Sequence, residues 1–438
     1  DGLAIGRLLK ERWWEVFIYV VGNQRNGSDA FKANLERSEL YAVINASQDL
    51  PEVELDDIIV DGLFGSGLSR SLDGFPKEVI EYLNEQECRK FSIDIASGLY
   101  ADQALENDTV AFMPDYTLSF QTPKLAFFQP DCYPYVGEWH LLDIGLDEGF
   151  INNQETNYHQ SAPEEIVHFF PSRDKFTHKN KVGRLLIVAG SKGRMGAAIL
   201  CTRAAFRAGT GLVNVCAPKC GIDILQVAIP EAMVIDGKGS SEVQFIPESD
   251  DTIVIGPGLG TKPKTREAME KFLKTAKNPT VIDADGINIL SKKKSLLTKL
   301  PEDSILTPHI GEFRRLAGDW KNDFEKLEKL RSICQKYKVN MVLKGAYSAV
   351  CNQQGDVFFN PTGNPALATA GSGDVLTGII GALLAQRLQP FEALKLGVYL
   401  HGMAGDQAVR ELEMPWIQAS DIIQYLPNAV GAIINRYL

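Results

Sequence analysis

The stretch 360–386, "NPTGNPALATAGSGDVLTGIIGALLAQ", breaks its backbone with prolines and glycines, reaches an acid at Asp374 and runs straight into an apolar segment. Val375, Leu376, Ile379, Ile380, Leu383 and Leu384 recur at helical spacing, which predicts a helix with a buried face and with Asp374 at its N-terminus. Gly371 and Gly373 flank Ser372 without side chains, so backbone N–H groups can approach a ligand where the helix end favours an anion. That is the geometry of a phosphate site. A Gly-Ser-Gly-Asp run is equally well a helix cap after a turn, so the rest of the chain must decide.

Working outward, 438 residues exceed what a single hydrophobic core usually organises, and a pair of domains is expected. A net charge of −11 argues against nucleic-acid binding, which needs concentrated lysine and arginine. The sequence holds no apolar run long enough to span a bilayer, so a soluble, cytoplasmic protein without a membrane partner is expected. Seven cysteines are scattered, and the nearest pair, Cys216 and Cys220, lacks a matching His/Cys pair, which predicts reduced structural thiols.

"DGLAIGRLLKERWWEVFIYVVG" (1–22) reads as a helix running into a strand, and strand-like runs follow at 55–60, 91–95 and 116–120. The polar, weakly periodic segment 146–165 is the linker candidate and places a boundary near Asn153, dividing the chain into 1–152 and 153–438. Beyond it, "RLLIVAGS", "GLVNVCAP", "DTIVIGPGLG", "PTVIDADGINIL", "SILTPHIGEF" and "VNMVLKGAYSAV" repeatedly end strands in Gly or Asp. This predicts a doubly wound α/β domain whose parallel sheet carries ligand loops on its carboxyl edge.

Those loops form a constellation. "AGSKGRMGAAIL" (189–200) and "GPGLG" (256–260) let backbone meet a ligand, "LTPHIGEF" (306–313) adds His309 and Glu312, and "LKGAYSAV" (343–350) adds Lys344 among small residues. The combination suits phosphoryl chemistry, in which the protein positions groups and neutralises charge, with Asp374 as the base on a substrate hydroxyl. His309 either orients substrate or satisfies buried backbone. Lys344 either faces a phosphate or covers a helix with its stem. Asp283 and Asp285 are further acids, of which Asp283 reads as structural.

Together, "HKNKVGRLLIVAGS", "GPGLG", "TPHIGEF", "LKGAYS" and "NPTGNPALATAGSGDVLTG" resemble the NAD(P)H-hydrate dehydratases, a family of ribokinase-like fold, from about Lys175 to the C-terminus. The resemblance implies that Lys344, Gly345, Ala346, Tyr347, Ser348 and Gly373 contact ADP, or ATP in its place, with magnesium. It implies that Ala198, Gly258, His309 and Asp374 contact the hydrated nicotinamide.

The amino-terminal pieces "VDGLFGSGLSR" (60–70), "SIDIASGL" (92–99), "DYTLSF" and "YPYVGEWHLLDIGL" are similar to the NAD(P)H-hydrate epimerase domain, a Rossmann-like three-layer fold. Here the resemblance implies that Asp61 and Ser97 hold potassium and that Gly65, Ser66, Gly67, Leu68, Ser69, Arg70 and Ser71 line phosphates. Asp94 would be the acid/base on the hydrated ring. The chain departs from the pattern in two places: Ala96 stands where the family has proline, and only Asp1 and Gly2 match its Asn-Gly-Gly-Asp-Gly loop. A helix and a strand are therefore expected ahead of Asp1, with the epimerase-like half N-terminally incomplete.

The implied activity is repair of a hydrated cofactor: ADP-dependent dehydration of the S epimer, epimerisation of the R epimer, and a homo-oligomeric assembly. A kinase for a small hydroxymethyl heterocycle would use the same glycine loop and acid, and a noncatalytic sensor would bind the same nucleotides.

Overall fold

Residues 1–22, 27–38, 40–106, 109–171, 173–179 and 181–437 are described by the computed structural model. The chain divides into two compact units, Asp1–Glu155 with Lys321–Glu325 and Thr156–Trp320 with Lys326–Leu438.

In the second unit the β-branched runs pair into a sheet that has ten strands among the described residues. Its order is Met233–Asp236, Leu212–Ala217, Arg184–Val188, Thr252–Ile255, Thr280–Ile282, Ile305–Leu306, Asn340–Leu343, Ala349–Cys351, Val357–Phe359 and Tyr158–Gln160. The strands from Met233–Asp236 across to Asn340–Leu343 are parallel, and those from Arg184–Val188 to Asn340–Leu343 consist almost wholly of buried residues. The chain leaves Arg184–Val188 toward one edge and returns to its other side at Thr252–Ile255, so the strand order reverses between these two neighbours. Ligands of open α/β sheets bind beyond the carboxyl ends of strands at such a reversal.

Two details differ from the sequence expectation. "VNMVLKGAYSAV" is two strands rather than one, because Asn340–Leu343 turns back through 344–348 to pair antiparallel with Ala349–Cys351. The segment 146–165 is ordered: it carries the helix Glu148–Asn152, the strand Tyr158–Gln160 and the turn of helix Pro163–Ile166. Tyr158–Gln160 pairs in parallel with Val357–Phe359, and the His159 ring stacks on Phe358 with centroids 4.6 Å apart. Those partners lie far off in sequence, so the local polarity of the segment gave no sign of a strand.

The apolar run after Asp374 forms the helix Ser372–Ala385, and it buries more than one face: every residue from Val375 to Ala385 is buried. It packs against the helices Met195–Arg207 and Pro390–Leu412 and over the strand Thr252–Ile255. Gly378 lets it touch the Cys201 carbonyl, where any Cβ would collide. No helix among the described residues is long and apolar enough to cross a membrane.

The first unit has a parallel sheet in the order Ile58–Asp61, Arg89–Ile93, Tyr116–Phe120, Glu138–Leu142, and a separate parallel pair, Tyr19–Val21 with Ala42–Ile44. Ile80, Ile95, Leu99 and Phe112 fill its core.

Candidate active sites

Asp374 lies in the first turn of Ser372–Ala385, as its spacing predicted, and Gly371 supplies the N-cap at φ +89. This positive φ is what requires glycine: a side chain there would also meet Leu200 and Ala419. Burial, together with the charge of Asp283, pushes the Asp374 carboxyl up to about 7, against the opposing pull of the Lys344 ammonium. A carboxyl near neutrality can take a proton and give it up again, which is what a base on an alcohol needs.

Lys344 extends from the end of Asn340–Leu343, where it bridges to His309 in parallel register. Its ammonium is 3.2 Å from Asp283 Oδ1 and 3.2 Å from where a Cβ on Gly373 would stand. Lysine, glycine loop and helix end thus converge, and the absence of a side chain at Gly373 leaves a cradle beside a cation. That donor set fits the phosphates of a nucleotide. The turn after Lys344 is closed on itself, Ser348 Oγ lying 3.2 Å from the Gly345 carbonyl and 3.4 Å from its N–H.

Asp283 is structural. It is fully buried, accepting from Thr307 Oγ1 at 2.7 Å and Lys344 on one oxygen and from Thr377 Oγ1 at 2.8 Å on the other. Asp285 takes Gly260 N–H at 2.8 Å. These acids are committed, and among the described residues no group of three His, Cys, Asp or Glu side chains is arranged to hold a metal. Magnesium fits here only as an ion carried on nucleotide phosphates.

His309 takes the backbone-capping role weighed for it. It caps the helix Ile310–Ala317, with Nδ1 accepting the Gly311 N–H at 3.0 Å and Glu312 reaching back to the His309 N–H at 3.0 Å. Its proton therefore sits on Nε2, and the ring remains half exposed at the strand ends. The loops at the strand-order reversal are zipped together: Gly190 N–H donates to the Pro257 carbonyl at 2.8 Å and Ser191 Oγ to the Gly258 carbonyl at 2.7 Å. Gly258 adopts φ +58, and its Cβ position is 2.6 Å from the Arg194 carbonyl. Ala198 is fully buried, its Cβ 3.4 Å from the Cβ position of Gly190 in the first of these loops.

His401 was not anticipated. From the buried helix Pro390–Leu412 its Nε2 meets the Ser372 hydroxyl at 3.1 Å and the Ser372 carbonyl at 3.0 Å, holding the helix that carries Asp374. Burial keeps the imidazole neutral, its pKa brought down to about 4. Asp406 on the same helix takes the Gly363 N–H at 2.9 Å and Asn364 Nδ2 at 2.8 Å, so the Asn-Pro-Thr-Gly-Asn-Pro run is a clamp against that helix. A lone histidine and acid within an apolar helix were the signals available.

In the first unit Asp94 follows Arg89–Ile93 at φ +64, a conformation an aspartate adopts at some cost. Its Oδ1 accepts from Lys124 Nζ at 2.6 Å, from the Phe120 N–H at 3.0 Å and from Ser119 Oγ at 3.3 Å. Lys124 was likewise unread in the sequence. The loop from Gly65 to Ser71 is largely exposed, with open space where side chains on Gly65 and Gly67 would go, and Ser71 Oγ is 3.3 Å from Tyr100 Oη. Gly2 comes to the same strand end: its Cα is 3.2 Å from the Cβ position of Gly62.

Asp61 is buried and its pKa is raised by that burial, although Ser97 Oγ at 2.6 Å, Ser97 N–H at 2.8 Å, Leu63 N–H and Ser92 Oγ all donate to it. Each carboxylate oxygen therefore has two donors, and Asp61 and Ser97 satisfy one another. These two residues alone do not make a potassium site.

The fold and the Asp374 site fit a nucleotide-dependent α/β enzyme that acts on a hydroxyl. The comparisons narrow this. A family model described as NAD(P)H-hydrate dehydratase matches residues 185–428, and one described as YjeF-related protein N-terminus matches 1–126. Bifunctional NAD(P)H-hydrate repair enzymes from Thermofilum pendens and Moorella thermoacetica are 31% and 33% identical, over 99% and 98% of this chain and 85% and 84% of theirs. The ADP/ATP-dependent NAD(P)H-hydrate dehydratase of Bacillus subtilis, co-crystallised with ATP and Mg2+, superposes with a TM-score of 0.57 at 30% identity, covering 64% of this chain and all of that one. The chain belongs to the family of bifunctional NAD(P)H-hydrate repair enzymes.

Proposed function

We propose that residues 153–438 dehydrate the S epimer of hydrated NADH or NADPH with ADP, and that residues 1–152 interconvert the epimers. The observation that carries the reading is Asp374: a carboxyl held near neutrality at a helix N-terminus, beside the Lys344 ammonium and the side-chain-free Gly373. Bound ADP would supply its terminal phosphoryl group to the ring hydroxyl, releasing AMP, and the phosphate would then leave with the ring C–O bond, pushed out by the ring nitrogen lone pair. Asp374 takes the hydroxyl proton. Lys344 and the amides about Gly373 hold negative charge, with Gly345, Ala346, Tyr347 and Ser348 on the nucleotide's AMP part. His309 and Gly258 position the hydrated ring, and Ala198 supports it from beneath the crevice.

In the other half Asp94 is the acid/base, held by Lys124, and the loop from Gly65 to Ser71 lines the phosphates. Potassium enters this reading only with ligands additional to Asp61 and Ser97, and no step depends on it. A cytoplasmic homo-oligomer completes the proposal; the free cysteines accord with a reducing compartment.

The test adds the protein, ADP and magnesium to mixed epimers of NADH hydrate and follows reduced-nicotinamide absorbance, with Asp374→Asn as control. Recovery of the whole pool faster than spontaneous epimerisation supports both activities, and a stop partway leaves the dehydratase alone. Absence of recovery with either ADP or ATP overturns the reading.

A further inference from the structure

A second hollow of about 450 Å3 opens on the carboxyl edge of the ten-stranded sheet, walled by Arg194, Asp285, Asn288, Lys292 and Arg315. Its walls come from successive strand ends. Arg194 closes the loop after Arg184–Val188, Asp285, Asn288 and Lys292 lie on the helix Ala284–Lys292, and Arg315 lies on Ile310–Ala317. Three cations face one carboxylate, in a chain whose net charge is −11. That carboxylate is already engaged: Asp285 Oδ2 is 3.1 Å from Arg194 Nη1 and 2.8 Å from the Gly260 N–H. The other two cations have neutral partners, Arg315 Nε on Asn288 Oδ1 at 2.9 Å and Lys292 Nζ on Thr261 Oγ1 at 3.3 Å. Their charge is therefore available to an anion.

The hollow also adjoins the ring-binding residues. The Arg194 carbonyl lies against Gly258, and Arg315 Nη1 is 3.8 Å from the Cβ position of Gly311, two residues past His309. The nucleotide cradle at Lys344 and Gly373 serves a different ligand. A dinucleotide whose nicotinamide end sits at Gly258, His309 and Asp374 still has a pyrophosphate and an adenosine to place, and a hollow of this size accommodates a nucleotide.

We propose that this hollow is the subsite for the phosphate-bearing tail of the hydrated dinucleotide, with Arg315 and Lys292 as its phosphate contacts and Arg194 held ready by Asp285. The proposal rests on the dehydratase reading above.

The test uses the full chain with Arg315→Ala, Lys292→Ala and the double variant, all changes at exposed positions. Two sets of quantities are measured: KM for the hydrate and for ADP, and calorimetric Kd for NAD+ and NADP+, which are not turned over. Each substitution removes a charge-assisted phosphate contact, so the hydrate KM and the dinucleotide Kd rise about tenfold per residue, with Arg315→Lys restoring part of the loss. ADP KM stays within about twofold, since no tail contact is lost there. An equal loss for NAD+ and NADP+ identifies the pyrophosphate as the anion, and a loss confined to NADP+ identifies the ribose phosphate; both support the subsite. Unchanged dinucleotide Kd values overturn it, as does a rise in ADP KM alone, which would assign the cations to the other nucleotide. Failure of the wild type to turn over hydrate would sink the dehydratase reading while the Kd values still decide the subsite.

Discussion

Lys344 Nζ is 3.2 Å from Asp283 Oδ1, and the two residues act on Asp374 with opposite sign: the ammonium favours its ionisation and the carboxylate opposes it. Burial and Asp283 both push the acid up, and the Lys344 ammonium is what keeps it near neutrality rather than far above it. The pair is thus a tuning device as well as an anchor.

This tuning is measurable in the pH profile of kcat/KM for the hydrate at saturating ADP, which rises through a midpoint near 7 as Asp374 loses its proton. Lys344→Met removes the favourable charge and moves the midpoint to higher pH; it also weakens ADP binding about tenfold, the worth of a charge-assisted contact. Asp283→Asn removes the opposing charge and moves the midpoint down. Shifts in the same direction in both variants would show that the electrostatic account is wrong.

Asp374→Asn separates chemistry from binding. Loss of a positioned base costs about 10²- to 10⁴-fold in turnover, whereas the Asn retains the shape of the helix end, so ADP Kd should change little. Single-turnover rates and calorimetry check the two halves, and normal turnover in the variant would remove Asp374 from the proton transfer.

How much of this was legible follows from where the information lies. Asp374 could be placed because glycines, acid and helical period occur together within one local stretch. Lys344 was found, but its anchor was not, since Thr307, Thr377 and Asp283 meet only through the folded sheet. Ala198 is the converse: its family position was readable, yet its burial depends on the rotation of Met195–Arg207 against the core. The strands Met233–Asp236, Val357–Phe359 and Tyr158–Gln160 are only three or four residues long, too short for local pattern to reveal, and Tyr158–Gln160 also takes its pairing from a partner far off in sequence.

Lys124 gives a test of the other half. Its ammonium holds Asp94 at 2.6 Å in a left-handed backbone conformation, and Lys124→Met releases that carboxylate. In the mixed-epimer assay the rapid phase, from the S epimer, should keep its rate. The slow phase should fall at least about tenfold toward the spontaneous rate, as expected when an acid/base loses its partner. An unchanged slow phase would leave Lys124 as a packing residue.

His401 and Asp374 oppose one another in the pH dependence of stability. Asp374 keeps its proton to about 7 when folded but to only about 3.8 when unfolded, so between these values the unfolded chain binds fewer protons and stability falls as pH rises. His401 protonates at about 4 when folded against 6.5 when unfolded; its contribution is fully present above 6.5 and is lost as pH falls toward 4. Across pH 4 to 6.5 the two slopes cancel in part. Asp374→Asn removes one of them, so its melting temperature should exceed that of the wild type at pH 8, converge with it near pH 4, and fall more steeply between 6.5 and 4. His401→Gln in the same background should flatten that fall. If Asp374→Asn melts at the wild-type temperature across the range, the buried carboxyl is not carrying the strain assigned to it, and the case for a base poised by burial at the helix end fails with it.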